Sequence, residues 1–365
     1  MKFTCDQSVL ASALGTVARA VSNRTPVPIT QGIKVVAEPG MLTLTATNLE
    51  ITMERSLMAN VSEPGETVVM GNLFLDIVKK LPELPVNVTL NGDKVAVECF
   101  GSKFTLVAFN AGDFPVAEDD TTNPVRLNRD TFTSMIKQTI FATSTDEAKG
   151  VLQGILVDAG NHAMTFVAID GFRMALRKEP IETGESFRAL IPAQTMSEIS
   201  RINNDSEDML IALGEKTATF TMGDTKIHTR LYPVEDYVAW ENLVPANGNI
   251  RVLADTDALE QGLDRAAIFA DGANGLVKME IDSSNGILLT SRSEVGNVRE
   301  VVDAQVSGGE LTIGFNVKYV LDALKTIKDE DSVLIRMSEA RKPAVIVPTE
   351  GDKFLYMVLP VIIPG

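Results

Sequence analysis

Apolar residues near the start of the chain fall at Leu10, Leu14, Val17 and Val21, steps of four, three and four, the stripe of an amphipathic helix at 3.6 residues per turn. Phe132, Ile136 and Ile140 repeat it, and Leu259, Leu263 and Ala266 repeat it again. A second helix is predicted deeper in each stretch, at Leu75, Val78 and Leu81, at Met196, Ile199 and Ile202, and at Leu321, Leu324 and Ile327. Between helices, apolar and polar residues alternate and are broken by Gly, Asn and Asp turns, as in half-buried antiparallel strands. One such strand, Leu42-Thr43-Leu44-Thr45-Ala46-Thr47, runs into a turn at Asn48; it resembles Met164-Thr165-Phe166-Val167-Ala168-Ile169 before Asp170 and Ile287-Leu288-Leu289-Thr290-Ser291-Arg292 before Ser293. Asn48, Asp170 and Ser293 stand 122 and 123 residues apart. A period shared by strands and helices predicts one module present three times, each an α+β unit of two helices packed on antiparallel sheet. The copies run 1–120, 121–246 and 247–365, divided at the turn-rich stretches Gly112-Asp113-Phe114-Pro115 with Glu118-Asp119-Asp120, and Pro245-Ala246-Asn247-Gly248.

Composition narrows the function. The net charge of −16 argues against indiscriminate adhesion to nucleic acid, although a local basic surface is compatible with it. The first residues, Met1-Lys2-Phe3-Thr4-Cys5-Asp6-Gln7, interrupt any secretory signal, and no apolar run is long enough to span a membrane, so a cytoplasmic location and no membrane partner are expected. Two cysteines, Cys5 and Cys99, make no disulfide framework and are expected as buried free thiols. Two isolated histidines, His162 and His228, give zinc no cluster to bind.

Candidate catalytic motifs fail on their companions. Ser134-Met135-Ile136-Lys137 matches the Ser-x-x-Lys of serine acyl enzymes, but no Ser-Asp-Asn is present and Lys216-Thr217-Ala218 lacks the glycine of Lys-Thr-Gly. Asp255-Thr256-Asp257 lacks the glycine and distal glutamate of a calcium loop and reads as a helix cap. No glycine-rich phosphate loop follows a strand, and Asp271-Gly272-Ala273-Asn274-Gly275 reads as a turn. The expectation is a binding platform with no cofactor and no enzyme chemistry.

Against this repeat, several stretches resemble the β subunit of bacterial DNA polymerase III, the sliding-clamp family. They are Gly314-Phe315-Asn316-Val317-Lys318-Tyr319-Val320-Leu321-Asp322-Ala323-Leu324, Asn23-Arg24-Thr25-Pro26-Val27-Pro28-Ile29, Gly112-Asp113-Phe114-Pro115 and Asp146-Glu147-Ala148-Lys149-Gly150-Val151-Leu152. The resemblance implies three clamp domains per chain and a head-to-tail dimeric ring around double-stranded DNA. Helices are about 10 Å thick and pack about 8–10 Å apart, so six in a ring leave a hole of roughly 5–10 Å and twelve leave roughly 20–30 Å. Only the second admits a duplex, so a homodimer is expected. The segments 3–24, 71–83, 125–150, 192–203, 252–270 and 314–328 carry +1, 0, +1, 0, −3 and +2, leaving −17 on the rest. Near-neutral helices beneath an acidic exterior suit a channel that holds phosphates weakly.

Site residues follow from the same resemblance. Arg24, Lys149 and Arg201 match DNA-facing basic positions, with Lys79, Lys80 and Lys137 as further candidates that equally suit a solvated face. A groove for the clamp-binding peptides of the polymerase catalytic subunit, the clamp loader and other partners is implied at Leu152, Ile169, Gly171, Phe172, Arg173, Met174, Leu243, Val358, Leu359, Pro360 and Val361, with Arg173 expected on its rim. Phe104 and Leu106 match one side of the ring interface, Ile268 and Phe269 the other. Two departures stand out. Val238-Ala239-Trp240-Glu241-Asn242 lengthens the connection between Tyr237 and Leu243 and lacks a basic pair, and the tail Val361-Ile362-Ile363-Pro364-Gly365 lacks a basic residue. The rivals are a scaffold of the same modules that does not bind DNA and, behind it, an enzyme using Ser134.

Overall fold

A computed structural model of the chain describes residues 1–363 apart from 23–24, 118–119, 122–123, 161, 182–185, 203–205, 246–247 and 271–274. Arg24 and most of the 271–275 turn therefore lie outside the described residues. Among those described are six α-helices: α1 (Gln7–Val17), α2 (Gly71–Lys80), α3 (Arg129–Lys137), α4 (Ala193–Arg201), α5 (Thr256–Ala267) and α6 (Val317–Leu324). Each apolar stripe faces a core: Leu10, Leu14 and Val17, then Phe132 and Ile136, then Leu259, Leu263 and Ala266 are fully buried. The helices are shorter than the stripes. Val21, Ile140, Leu81, Ile202 and Ile327 lie past the helix ends, in 3-10 turns or loops. In α2 the buried face is Phe74, Ile77 and Val78, with Leu75 half-exposed. That helix starts directly from the strand Gly65–Met70, and at Gly71 an added Cβ would sit 2.9 Å from Val21 and 3.0 Å from Ile33. Asp255 caps α5, its Oδ1 accepting from the Ala258 N–H at 2.8 Å, while the Thr256 hydroxyl donates to the Glu330 carbonyl.

The chain divides into two compact units, Met1–Arg129 with Glu198–Leu231, and Asp130–Ser197 with Tyr232–Gly365. In the first, a five-stranded sheet runs in the order Asn60–Glu63, Lys2–Asp6, Pro85–Asn91, Lys94–Cys99, Ser102–Val107. Its eight-stranded sheet joins four strands of the predicted second copy to four of the first, the seam being Thr225–Arg230 against Ile51–Met58, with Thr225 opposite Arg55 and Thr229 opposite Ile51. In the second unit the same seam recurs in a nine-stranded sheet. There Arg173–Pro180 pairs antiparallel with Phe354–Val358, Arg173 opposite Val358 and Arg177 opposite Phe354. A four-stranded sheet, Gly296–Val302, Gly286–Ser293, Leu276–Asp282, Leu311–Asn316, completes it. Sheets thus run continuously from one copy into the next, because each copy ends its half-sheets on strands whose edge groups need a partner.

The equivalence of Asn48 and Asp170 extends to individual bonds. Asn48 Oδ1 accepts from the Glu50 and Ile51 N–H groups at 3.0 and 2.8 Å, and Asp170 Oδ1 from Phe172 and Arg173 at 2.8 and 3.0 Å. Leu49 and Gly171 both hold positive φ, 77° and 93°. Cys5 and Cys99 are buried and unpaired with each other. Ser134 Oγ accepts from Gln138 Nε2, four residues on, at 3.0 Å. Among the described residues no group of three or more His, Cys, Asp or Glu could hold a metal, and no helix is long and apolar enough to cross a membrane.

Candidate functional site

The turn at Asp170 organises a corner of the second unit. Its carboxylate takes the Phe172 and Arg173 amides on Oδ1 and the Arg173 Nε on Oδ2 at 2.9 Å. Gly171 supplies the positive φ that lets the chain reverse there. Arg173 reaches on to Asp322 of α6, Nη1 to Oδ2 2.6 Å, and its guanidinium lies 4.5 Å over the Tyr319 ring and 5.3 Å from Phe141. A buried cation is tolerable only when its donors are used, and two carboxylates and two ring faces use them. Arg173 is therefore not a rim residue. It is 9% exposed and ties the turn to α6.

With the turn held, Phe172 points outward, 52% exposed, stacked on Tyr319 at 6.2 Å between centroids. Lys149 also leans over the Phe172 ring, Nζ 4.8 Å from its centre, and donates to the Asp170 carbonyl at 2.6 Å. The C-terminal tail is laid beside this corner by two backbone bonds, Leu359 N–H to the Phe172 carbonyl at 2.9 Å and Val361 N–H to the Gly314 carbonyl at 2.8 Å. Val358 points in and is buried, Leu359 points out and is 37% exposed, and Pro360 and Val361 are half-buried.

Next to the corner lies an apolar cluster of Leu156, Val167, Ile169, Met174, Leu176, Leu190, Tyr237, Val345 and Met357, against which Leu152, Trp240 and Val244 pack half-buried. The Tyr237 hydroxyl donates to the Val167 carbonyl at 3.3 Å, and burial pushes its pKa far above the usual phenol value. Leu243 follows the short 3-10 turn Trp240–Asn242 and is 43% exposed. Of the residues expected in the groove, Phe172, Leu243, Leu359, Leu152, Pro360 and Val361 offer surface; Ile169, Met174, Arg173 and Val358 support it from beneath.

Sequence reasoning missed Val167, Leu176, Tyr237, Trp240, Val345 and Met357. A signal was present for Val167, Leu176 and Met357. At the 122-residue offset, Leu156, Val167, Ile169, Met174 and Leu176 correspond to Lys34, Thr45, Thr47, Thr52 and Glu54 of the first copy. Lys34, Thr45, Thr52 and Glu54 floor a cavity of about 550 Å³ in the first unit, lined also by Lys226 and His228, which stand opposite Glu54 and Thr52 as Leu355 and Met357 stand opposite Leu176 and Met174. One scaffold thus carries a polar floor in one unit and an apolar one in the other.

The other expected residues, Lys149 excepted, fall on other elements of the two units. Lys79 and Lys80 end α2 and Lys137 ends α3, all exposed, where the negative end of each helix dipole favours a cation. Arg201 ends α4 beside Glu198 at 3.2 Å, and Glu198 also meets Arg19 at 3.5 Å. Lys149 belongs to the Phe172 corner. Phe104, 38% exposed, and buried Leu106 lie on Ser102–Val107, an outer strand of the five-stranded sheet. Ile268, 70% exposed, follows α5, and Phe269 lies against Gly296 at the start of Gly296–Val302, an outer strand of the four-stranded sheet.

Comparison with known proteins agrees over the whole length. Family models of the DNA polymerase III beta subunit match in chain order, the N-terminal domain at residues 1–118, the central domain at 126–234 and the C-terminal domain at 241–362. The chain is 31% identical to a beta sliding clamp of Staphylococcus aureus and 29% to that of Bacillus subtilis, covering 99% of both chains in each case. A crystal structure of the Bacillus subtilis DNA polymerase sliding clamp superimposes with a TM-score of 0.95 at 28% identity, covering both chains completely. A sliding clamp of Pseudomonas aeruginosa bound to griselimycin gives 0.93 at 25%, again over both full chains.

Proposed function

From the premise that the chain belongs to the DNA polymerase III beta-subunit family, we propose that it is a DNA sliding clamp, a non-catalytic processivity factor that encircles duplex DNA and tethers the replicative polymerase and other partners. The copies 1–120, 121–246 and 247–365 act as three clamp domains, and two chains close head to tail in the cytoplasm. The outer strands Ser102–Val107 and Gly296–Val302, with Phe104 and Ile268 exposed beside them, support that closure, since an apolar edge is a hazard until another edge covers it. Lys79, Lys80, Lys137 and Arg201 meet phosphates; with Arg24 and Lys149 they complete the DNA-facing set. Contacts to phosphate position a protein without reading bases, which is what sliding requires.

The observation that carries the reading is the Phe172 corner: an outward aromatic and an outward Leu359 fixed by backbone bonds beside an apolar cluster. Such a surface suits a short extended peptide with one or two hydrophobic anchors, which supply most of the energy. The DNA part is tested by retention on nicked circular DNA. A clamp stays on the circle and runs off once it is linearised, with a gel-filtration mass near twice the monomer. A monomer, or retention indifferent to DNA ends, would overturn it and favour the scaffold.

A further inference from the structure

Trp240 is the chain's single tryptophan, and it lies in the segment 238–242 between Tyr237 and Leu243. Its ring packs half-buried against the groove's apolar cluster. Its indole N–H is sealed from solvent yet has no hydrogen-bond acceptor. Such a donor forgoes the bond that water would give it outside, so this placement is held by apolar contact against a polar penalty. The backbone around it makes local bonds, Asn242 N–H to the Ala239 carbonyl and Leu243 N–H to the Trp240 carbonyl, and its neighbours Val238, Ala239, Glu241 and Asn242 are exposed. In the first unit the matching connector, beginning after Phe114 as this one begins after Tyr237, crosses the polar floor differently. There Val116 is 90% exposed and the cavity beneath stays open. A polar floor can face water; an apolar floor is better covered.

We infer that Trp240 is the displaceable cover of the peptide groove and a determinant of what the groove accepts. In the free protein the indole shields the apolar floor. A partner peptide seats its hydrophobic anchor by taking the ring's place, and the ring swings out to water, where its N–H regains a partner. The groove therefore admits peptides whose anchor is bulky enough, such as leucine or phenylalanine, to replace the apolar contact the ring gives up; an alanine at that position does not. This rests on the groove being the peptide site.

The single tryptophan makes the test direct. An unlabelled peptide of extended sequence, free of tryptophan and tyrosine and ending in Leu-Phe, is titrated into the full-length dimer while tryptophan emission and acrylamide quenching are followed. Displacement shifts the emission to longer wavelength and raises quenching at saturation. By anisotropy with a labelled version, Trp240→Ala binds roughly 3- to 10-fold tighter, because the competitor for the floor is gone and the peptide no longer has to overcome the ring's net advantage of apolar contact over its lost hydrogen bond. Emission that stays fixed or moves to shorter wavelength while peptide is bound, or weaker binding by Trp240→Ala, overturns the inference and makes the indole a fixed wall. The emission reading needs no variant, so a folding defect in Trp240→Ala does not blunt the test. If Phe172→Ala and deletion of 359–365 both leave peptide affinity native, the groove reading itself falls and takes this inference with it; if those two variants lose binding, the groove stands and only the role of Trp240 is at issue.

Discussion

Replacing Asp170 by alanine should loosen the groove corner more than any single apolar truncation there. The side chain accepts three hydrogen bonds, from the Phe172 and Arg173 amides and from Arg173 Nε. Bonds to a charged acceptor are worth about 1.5–3 kcal/mol each. Breaking one side of a buried ion pair costs about 3–5 kcal/mol. Asp322 still meets the guanidinium at 2.6 Å and offsets part of this, so a local loss of about 3–5 kcal/mol in all is expected. Hydrogen exchange at the 172 and 173 amides should therefore accelerate roughly 10²- to 10⁴-fold. Because the Phe172 carbonyl also receives the Leu359 N–H, the tail should loosen with it and peptide affinity should fall about tenfold or more. Asp170→Asn keeps an oxygen for the two amides and loses the charge, so it should fall midway. The measurements are native-state exchange over residues 169–175 and fluorescence anisotropy of a labelled clamp-binding peptide. Native exchange and native affinity in Asp170→Ala would show that the corner is held by something other than this carboxylate.

Further outcomes concern the ring interface, the basic residues and Cys5. Ile268→Ala with Phe269→Ala should sediment mainly as monomer at micromolar concentration, and an undiminished dimer would move the interface elsewhere. Changing Arg24, Lys149 and Arg201 together to alanine should weaken DNA association at every sequence alike and lower the salt slope by about 0.9 for each phosphate no longer neutralised; Lys149→Ala alone should weaken peptide binding more than DNA binding, since its ammonium is bound to the Phe172 corner. The Cys5 thiol is pushed up to about 11 by burial, helped by the nearby Asp6 charge, so it should resist a thiolate-selective reagent at pH 8 until the chain unfolds. The folded state keeps that proton where the unfolded chain releases it, so the thiol's contribution to stability is intact below pH 9 and fades as pH climbs towards about 11. Rapid native-state labelling of Cys5 at pH 8 would contradict the burial argument.

The sequence by itself determined the threefold repeat, the six helices and the α+β class, because these rest on local periodicity: a 3.6-residue stripe and a two-residue alternation are written in neighbouring positions. Through resemblance it also pointed to Phe172, Leu243 and Leu359, which the fold leaves exposed. Tertiary structure alone decided the rest. Alternation tells which face of a strand is apolar but not which strand lies beside it, so the seams of Thr225–Arg230 on Ile51–Met58 and Arg173–Pro180 on Phe354–Val358 were invisible until the chain was folded. Arg173 illustrates the limit. In the sequence it is a basic residue after an exposed turn and suits a rim; its role is set by Asp322, 149 residues away, whose carboxylate makes burial of the guanidinium tolerable. Trp240 illustrates it again, since nothing in its neighbours says that its ring turns inward onto the apolar cluster rather than outward. What a side chain does in this protein depends on partners brought near by long-range pairing, and long-range pairing is the property that local pattern does not encode.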